Sequence, residues 1–373
     1  MQAILRNVLP CFTNITKLKN MSVLNIARRI STLGEYFTIT GLCLIITASN
    51  PSNASTLSQR LCFCQGLRKL QLIFDRGSGY RPIEFFVRGL ATLRKLEELT
   101  LSYTLEAPQP MHQELGKALA KMSQLKYLYL QLSGIKETGI QAINEGLAAC
   151  TTLHVLALPF QNIQDSGAAL LGPVLTKMPL KLLNLSNNAL SATGIEHLMP
   201  LPSELTVLKL RSNNLSDNGA GHLSNAMLTL NRLEITNNNI SAHGLAALFN
   251  SKGIFAISKL HLNKNKICTE GVKTLAMQAP RLPLLEELHL QKNDICTGGG
   301  QALAELLTKC TALKEMDLKW NDLQGAVVTN LLPQLENCKG LRALDLQENN
   351  QTSEQVEKCR EIATTLQMLR FLV

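Results

Sequence analysis

The sequence contains few aromatic residues and no long apolar segment. Aromatic side chains make up 4 % of its 373 residues, with a single Trp, although 45 % of the residues are hydrophobic. The apolar stretch from Tyr36 to Ala48 is shorter than the roughly 20 residues that a membrane-spanning helix needs. The first residues, MQAILRNVLPCF, do not have the apolar core and cleavage site of a signal peptide. The sequence therefore predicts no membrane span.

Motifs of catalysis and nucleotide binding are also missing. Neither G-x-S-x-G nor H-E-x-x-H occurs, and no G-x-x-x-x-G-K-[ST] phosphate loop is present. The run Gly298-Gly299-Gly300 could cradle a phosphate at a helix start, but Gly299 occupies a glycine position that recurs along the chain, which favours a loop. We therefore predict no enzyme and no cofactor.

A repeat of about 28 residues organises the chain. The segments ISKLHLNKNKI, LEELHLQKNDI and LKEMDLKWNDL begin at Ile257, Leu285 and Leu313. Apolar residues at each start, and three and five residues later, alternate with polar ones as in a strand with one buried face. Thirteen such strand starts occur from Ile39 to Leu366, and the others are Leu67, Leu96, Leu125, Leu153, Leu180, Leu205, Leu230 and Leu341.

The residues after each strand predict a turn and then a helix. An Asn eight residues after the start can satisfy backbone groups of the turn, and seven consecutive turns predict an asparagine ladder. A Gly fourteen residues after the start fits a junction without room for a side chain, and Leu303, Leu306, Leu307 and Cys310 are spaced like one face of a helix. A single unit cannot bury its apolar face alone, so the units must stack. The ladder residues are Asn188, Asn213, Asn238, Asn265, Asn293, Asn321 and Asn349.

The repeat also sets the predicted domain boundaries. Residues 1–38 do not fit it and predict a helical N-terminal cap or the truncated end of a longer protein, whereas residues 39–373 predict one continuous repeat domain. The units that start at Leu180, Leu205 and Leu230 are shorter, which predicts shorter helices there. The strand that starts at Leu366 ends at once at Val373 and is either a closing edge or a truncation.

Charge and cysteine placement limit the partners and the compartment. The net charge is +9, but Lys and Arg are scattered, which is typical of a solvated surface rather than of a nucleic-acid-binding arm. The ten Cys fall largely on repeated positions, as small buried apolar groups do. So many free thiols favour the cytosol or the nucleus, and we predict a cytoplasmic protein. The repeated positions are Cys64, Cys150, Cys310 and Cys338 before strand starts, and Cys268 and Cys296 after them.

The repeat resembles the ribonuclease-inhibitor type of leucine-rich repeat, LxxLxLxxNxIxxxGxxxLxxxL, which Ile257 to Leu275 matches closely. The resemblance covers about residues 39–373. It implies an α/β fold, a leucine-rich repeat solenoid (horseshoe) with parallel strands on the concave face and helices on the convex face. The irregular N-terminal units followed by Asn-ladder units are most similar to the C-terminal region of NOD-like receptors. Ribonuclease inhibitors look acidic, and Ran activators carry an acidic tail that this basic chain does not have.

The strand residues that point away from the core form three predicted contact zones. The first is apolar and aromatic, the second is basic, and the third is acidic with Trp320 beside it. Tyr, Trp and Arg are enriched at interface hot spots, and strands about 4.8 Å apart would make each zone continuous. The predicted partner-binding residues are Phe74, Tyr103, Tyr127, Tyr129 and Phe160 in the apolar zone, Lys209, Arg211, Arg232, Lys259, His261 and His289 in the basic zone, and Trp320.

These zones predict a non-enzymatic module that binds a protein partner on the concave face, of the innate-immune sensor type. An enzyme regulator, such as a ribonuclease inhibitor or Ran GTPase activator, is the alternative. His261 and His289 occupy equivalent positions on adjacent turns, but a metal would need a third ligand, and Lys264 and Lys292 nearby disfavour a cation. We therefore predict no metal, no nucleic acid, and a monomer or a part of a larger assembly.

Overall fold

The fold was analysed in a computed structural model, which describes residues 16–17, 40–46, 59, 61, 64–74, 81–103, 109–335, 338, 340–365 and 370–373. The chain forms two compact units, Met1–Leu182 with Pro202–Glu204, and Leu183–Leu201 with Leu205–Val373. In each unit the strands lie side by side in chain order and pair in parallel. Within the described ranges, no helix combines the length and the apolar character needed to cross a bilayer.

Among its described residues, the first unit contains four strands of six residues and helices of ten to fourteen residues. Its strands are β1 (Thr16–Lys17), β2 (Gly41–Ile46), β3 (Lys69–Phe74), β4 (Glu98–Tyr103), β5 (Tyr127–Leu132) and β6 (Val155–Ala157). Its described helices are α1 (Arg81–Leu90), α2 (Gln109–Leu119), α3 (Lys136–Ala149) and α4 (Gln164–Leu175). The pairing of β1 with β2 was not predicted, because β1 is only two residues long and has no repeat pattern.

The second unit contains shorter strands of three residues each. They are β7 (Leu182–Asn184), which begins at the boundary, β8 (Val207–Lys209), β9 (Arg232–Glu234), β10 (Lys259–His261), β11 (Glu287–His289), β12 (Glu315–Asp317), β13 (Ala343–Asp345) and β14 (Arg370–Leu372). The α-helices are α5 (Ala192–His197), α6 (Ser216–His222), α7 (Ala242–Leu248), α8 (Cys268–Gln278), α9 (Gly300–Lys309), α10 (Leu332–Leu335) and α11 (Ser353–Thr365). Helices α5 to α7 have six or seven residues, so the predicted shortening is confirmed.

Leucine residues form the core between strands and helices in both units. Each predicted strand start from Ile39 to Leu366 is followed by an observed strand, and core-facing leucines within these strands, such as Leu260 and Leu288, are fully buried. On the helix side, Leu303, Leu306 and Leu307 of α9 are buried, as the helical spacing predicts. The predicted fold class, a leucine-rich repeat solenoid with a parallel sheet and helices, is confirmed.

The predicted asparagine ladder is present in the second unit. The side-chain amide of each ladder residue from Asn213 onwards donates to backbone carbonyls of its own turn and of the preceding turn. Where the side-chain oxygen of a ladder residue is paired, it accepts hydrogen bonds from backbone N–H groups of the preceding turn. The oxygen of Asn321, for example, accepts from the N–H groups of Asn293 and Ile295. In the first unit, Gln161 replaces the Asn and donates to the carbonyls of Leu130 and Pro159.

The recurring glycines lie in the first turn of the helices. A Cβ at Gly271 would lie 2.5 Å from Cγ2 of Ile267, and one at Gly244 would lie 2.3 Å from Oδ1 of Asp217. The predicted lack of room is therefore confirmed. Left-handed backbone occurs instead at the residue just before the ladder Asn, as at Lys264 (φ 55°) and Trp320 (φ 55°).

The cysteine prediction holds for one set of positions and is wrong for the other. Cys64, Cys150 and Cys310 are buried, and Cys338 is half-buried. Cys296 is exposed and Cys268 is half-buried, because the position eleven residues after a start lies at the surface end of the loop. The thiol of Cys296 contacts Oγ1 of Thr269 at 3.0 Å, and this hydrogen bond lowers its pKa.

The predicted N-terminal cap over 1–38 falls almost entirely outside the described residues. The prediction of one repeat domain over 39–373 stays a prediction.

Candidate interaction surface

Two rows of side chains cover the outward face of the sheet in the second unit, which we call the strand face. The register between strands aligns residues two and four positions after each strand start. The second-position row is Val207, Arg232, Lys259, Glu287, Glu315 and Ala343. The fourth-position row is Lys209, Glu234, His261, His289, Asp317 and Asp345. The predicted basic and acidic zones therefore lie on one continuous surface of this unit.

Three cations converge on Glu234, whose side chain is only 1 % exposed. Nε of Arg211 lies 2.6 Å from Oε2 of Glu234, Nε of Arg232 lies 2.6 Å from Oε1, and Nζ of Lys209 lies 3.2 Å from Oε1. Burial raises the pKa of Glu234, but the charges of Lys209, Arg211 and Arg232 outweigh it and hold the pKa below its usual value. One carboxylate cannot neutralise three cations, so this end of the strand face keeps a net positive charge.

His261 and His289 stack in the middle of the strand face. Their rings are 4.1 Å apart between centroids and nearly parallel, with an interplanar angle of 3°. His261 is only 4 % exposed, and burial, together with His289, lowers its pKa to about 4. The buried imidazole is therefore neutral near pH 7. His261 was predicted to contact a partner; its neighbours on the strand face cover it, and the contact stays a prediction.

Each histidine of the pair faces a carboxylate. Nε2 of His261 lies 3.7 Å from Oε2 of Glu287, and Nε2 of His289 lies 3.4 Å from Oε1 of Glu315. The other oxygen of Glu287 forms an ion pair with Lys259. Burial raises the pKa of Glu287, but the hydrogen bond and charge of Lys259 bring it below its usual value. Each histidine of the pair thus has a carboxylate within 3.7 Å of its Nε2.

The far end of the strand face is acidic. Glu315, Asp317 and Asp345 lie on β12 and β13, and burial raises the pKa of Asp317, with Asp345 and Glu315 adding to the rise. Trp320, 45 % exposed, follows β12 as the sequence predicted. Its ring has Nζ of Lys319 at 5.5 Å and Nζ of Lys292 at 5.9 Å from its centroid. The ring is thus an exposed aromatic group next to unlike charges.

The predicted apolar zone of the first unit is only partly exposed. Phe74 and Tyr103 are 2 % and 1 % exposed, and their rings meet edge to face with centroids 6.1 Å apart. Both rings therefore lie in the core rather than at the exposed edge where the sequence placed them, and their contact with a partner stays a prediction. Strands β3 and β4 have six residues, so the alternation continues to the seventh position after the start, which faces the core.

The other aromatic residues of this zone are accessible. Tyr127 and Tyr129 are half-buried on β5, and the hydroxyl of Tyr129 donates to Oε1 of Gln131 at 3.0 Å. Burial and the neighbouring Tyr127 raise the pKa of Tyr129 to about 12. Phe160 is 51 % exposed. Whether these residues bind a partner stays a prediction.

Glu234 and Glu287 are the functional residues that the sequence analysis missed. Both occupy the second or fourth position after a strand start, as the predicted cations do. Their signal was therefore present in the repeat. A prediction restricted to groups of like charge omits the carboxylates that lie between the cations.

Comparison with known proteins supports the fold. A leucine-rich repeat family model matches residues 204–224, 226–249 and 281–304. No curated protein shows significant sequence similarity to the chain. The crystal structure of an internalin (InlF) from Listeria monocytogenes superposes with a TM-score of 0.55 at 16 % identity, covering 95 % of this chain and 98 % of that chain. At that identity the likeness concerns the fold alone.

The matched repeats and the observed register together define what the chain is able to do. Leucine-rich repeat proteins are generally interaction modules rather than enzymes, and the strand face presents side chains of several chemistries in fixed rows. The chain contains leucine-rich repeats and has the leucine-rich repeat fold.

Proposed function

We propose that this chain is a non-enzymatic recognition module that binds a protein partner through the strand face of its second unit. The observation that carries the proposal is the fixed order of charges along that face. Three cations gather at Glu234, and three carboxylates gather on β12 and β13 beside the exposed Trp320. A partner with the opposite order of charges would be selected and oriented by it.

Trp320 and Arg211 are the residues expected to contribute most. Both are exposed, and both residue types are enriched among interface hot spots. Replacing either with Ala removes contact area or charge from the strand face and leaves the leucine core intact. We expect each variant to weaken binding by about 1–2 kcal/mol, which corresponds to roughly ten-fold in Kd.

Affinity capture with matched variants tests the proposal. The wild-type protein, Trp320→Ala and Arg211→Ala would be immobilised and exposed to extract from the native source, and the captured proteins would be identified by mass spectrometry. Met277→Ala is the control, because Met277 is an exposed apolar residue on helix α8. A partner captured by the wild type and the control but lost with both strand-face variants supports the proposal. A partner captured equally by all four proteins contradicts it.

A second candidate function is regulation of an enzyme. The acidic group formed by Glu315, Asp317 and Asp345 favours it, because a basic enzyme such as a ribonuclease would find complementary charge there. Direct assays of ribonuclease inhibition and of Ran GTP hydrolysis test this alternative. Inhibition or activation that is lost in Asp317→Asn would support it, and no effect in either assay would exclude it for these two enzymes.

We further propose that the chain acts in the cytoplasm, as the sensing region of a NOD-like receptor. The free thiols of Cys150 and Cys310, which are buried, support a reducing compartment. The Asn-ladder repeats that follow less regular ones support the receptor type. Immunofluorescence of the native protein tests the location, and a signal confined to the secretory pathway would contradict it.

A further inference from the structure

The stacked histidines of the strand face have a feature that partner binding does not require. Among the described side chains, Nε2 of His261 and Nε2 of His289 are buried and accept or donate no hydrogen bond. A buried polar atom without a partner is costly. Two such atoms, next to each other and both on imidazoles, suggest that something absent from the protein itself completes the site.

The carboxylates around the pair supply oxygen ligands. One ring nitrogen of His261, one of His289 and a carboxylate oxygen of Glu287 all lie within 4.8 Å of one another. Glu287 uses one oxygen for Lys259 and directs the other, Oε2, towards His261. Oε1 of Glu315 lies 3.4 Å from Nε2 of His289 and offers a fourth ligand.

We propose that His261, His289 and Glu287 bind a divalent zinc ion on the strand face, with Glu315 as a fourth ligand. Two neutral imidazole nitrogens with carboxylate oxygens form a donor set that suits zinc. Glu287 is the third ligand that the two histidines alone do not provide. Of the two lysines expected to repel a cation, Lys292 is directed over the ring of Trp320 instead.

Binding requires two small adjustments. A metal lies in the plane of each ring that binds it, so two parallel rings cannot share one ion until one of them tilts. His289 is the ring that moves, because its side chain is more exposed than that of His261. Zinc bonds of about 2 Å also draw the ligand atoms closer together than they are here, which rotation of His289 and Glu287 allows.

The second adjustment concerns Arg211. Its Nη2 lies 3.2 Å from Nδ1 of His261 and its Nε lies 2.6 Å from Glu234. Since Arg211 can only donate, Nδ1 accepts and the proton of the neutral ring is on Nε2. Zinc at Nε2 moves this proton to Nδ1, and Arg211, which is exposed, turns away. A hydrogen bond from Nδ1–H to Glu234, which Arg211 now links to His261, would then give the carboxylate–histidine–zinc arrangement common in metal sites.

Zinc titration by calorimetry tests the proposal. Metal-free wild-type protein would be titrated with zinc chloride and compared with His289→Ala and Glu287→Gln, both of which alter partly exposed side chains. Circular dichroism would show that each variant is folded. We expect the wild type to bind one zinc ion per chain. Removing a residue that only supports a metal ligand lowers affinity by at least about ten-fold, so removing a ligand itself should lower it by more than that in both variants.

Two further variants make the outcome specific. His243→Ala removes an exposed imidazole on helix α7 and should leave the affinity unchanged. Arg211→Gln removes the cation that opposes the metal and holds the unfavourable tautomer, so zinc should bind several-fold more tightly. The proposal is overturned if the wild type binds no zinc, or if His289→Ala and Glu287→Gln bind it as the wild type does. Weaker binding by Arg211→Gln would also contradict the arrangement.

Discussion

Replacing one residue of the asparagine ladder should lower the free energy of unfolding of the second unit by more than most single substitutions do. Asn265 is the most informative position, because its side chain serves two turns. Its Nδ2 donates to the carbonyls of Ile235 at 3.0 Å and Leu262 at 2.8 Å. Its Oδ1 accepts from the N–H groups of Asn238 at 2.9 Å and Ile240 at 3.1 Å. The variant Asn265→Ala removes all four bonds.

The size of the effect follows from what the alanine leaves behind. Two backbone N–H groups and the carbonyl of Ile235 would lose their side-chain partner in a place that water does not reach, since Asn265 is buried, whereas the carbonyl of Leu262 keeps a bond from Nδ2 of Asn293. A buried polar group without its partner costs about 1 kcal/mol or more. We therefore expect the free energy of unfolding of the second unit to fall by about 3 kcal/mol.

Urea denaturation followed by circular dichroism measures this change. Asn218→Ala is the matched control, because Asn218 is exposed on helix α6 and the same substitution there should change stability by less than about 0.5 kcal/mol. Asn265→Asp adds a second comparison, since it keeps the acceptor and replaces the donor. A loss below about 1 kcal/mol in Asn265→Ala would show that the ladder is not the main support of these turns.

Three other changes probe the repeat, the charge cluster and the thiols. Gly271→Ala should destabilise the protein by about 1–3 kcal/mol in urea denaturation, because the added Cβ would lie 2.5 Å from Ile267, whereas Gly298→Ala, with its nearest atom at 3.6 Å, should be tolerated. Equal effects would refute the packing argument. Glu234→Gln should cost about 2 kcal/mol at pH 7, because it leaves three cations around a buried neutral amide. The pKa of Glu234 is held below its usual value, so its contribution is present at neutral pH and is lost as the pH falls through that lowered pKa. The difference between variant and wild type should therefore close at acid pH, and a constant gap would contradict this. With iodoacetamide and mass spectrometry, the exposed Cys296, with its pKa lowered by Thr269, should react before Cys150 and Cys310. Burial raises the pKa of both to about 11, and early labelling of either would contradict their burial.

The backbone architecture could be predicted from the sequence because the repeat encodes it directly. Leu260 and Leu288 are buried because they occupy the same position of two successive repeats, and Asn265 and Asn293 likewise form equivalent hydrogen bonds. Whatever recurs every 28 residues or so is under the same local constraint, so one unit predicts the next.

The strand face was harder to predict, because its side chains are determined by their neighbours on other strands. The outward position of His261 follows from the repeat, but its burial depends on Arg211, Glu287 and His289, which come from two other repeats. Phe74 and Tyr103 were misplaced because β3 and β4 continue beyond the repeat consensus, and no pattern of single residues marks where a strand ends.

The net charge of the chain is a poor guide to the surface that it presents. In this basic chain, the outward strand positions predicted a basic zone. Glu234 and Glu287 nevertheless lie among the cations of that zone and form ion pairs with them. The positive charge that remains is concentrated near β8 and β9, while the carboxylates of Asp317 and Asp345, at the other end of the same row, face no Lys or Arg among the described ion pairs. A uniformly acidic or uniformly basic partner would be attracted at one end and repelled at the other. The order of charges, rather than their sum, is therefore what a partner of this surface has to match.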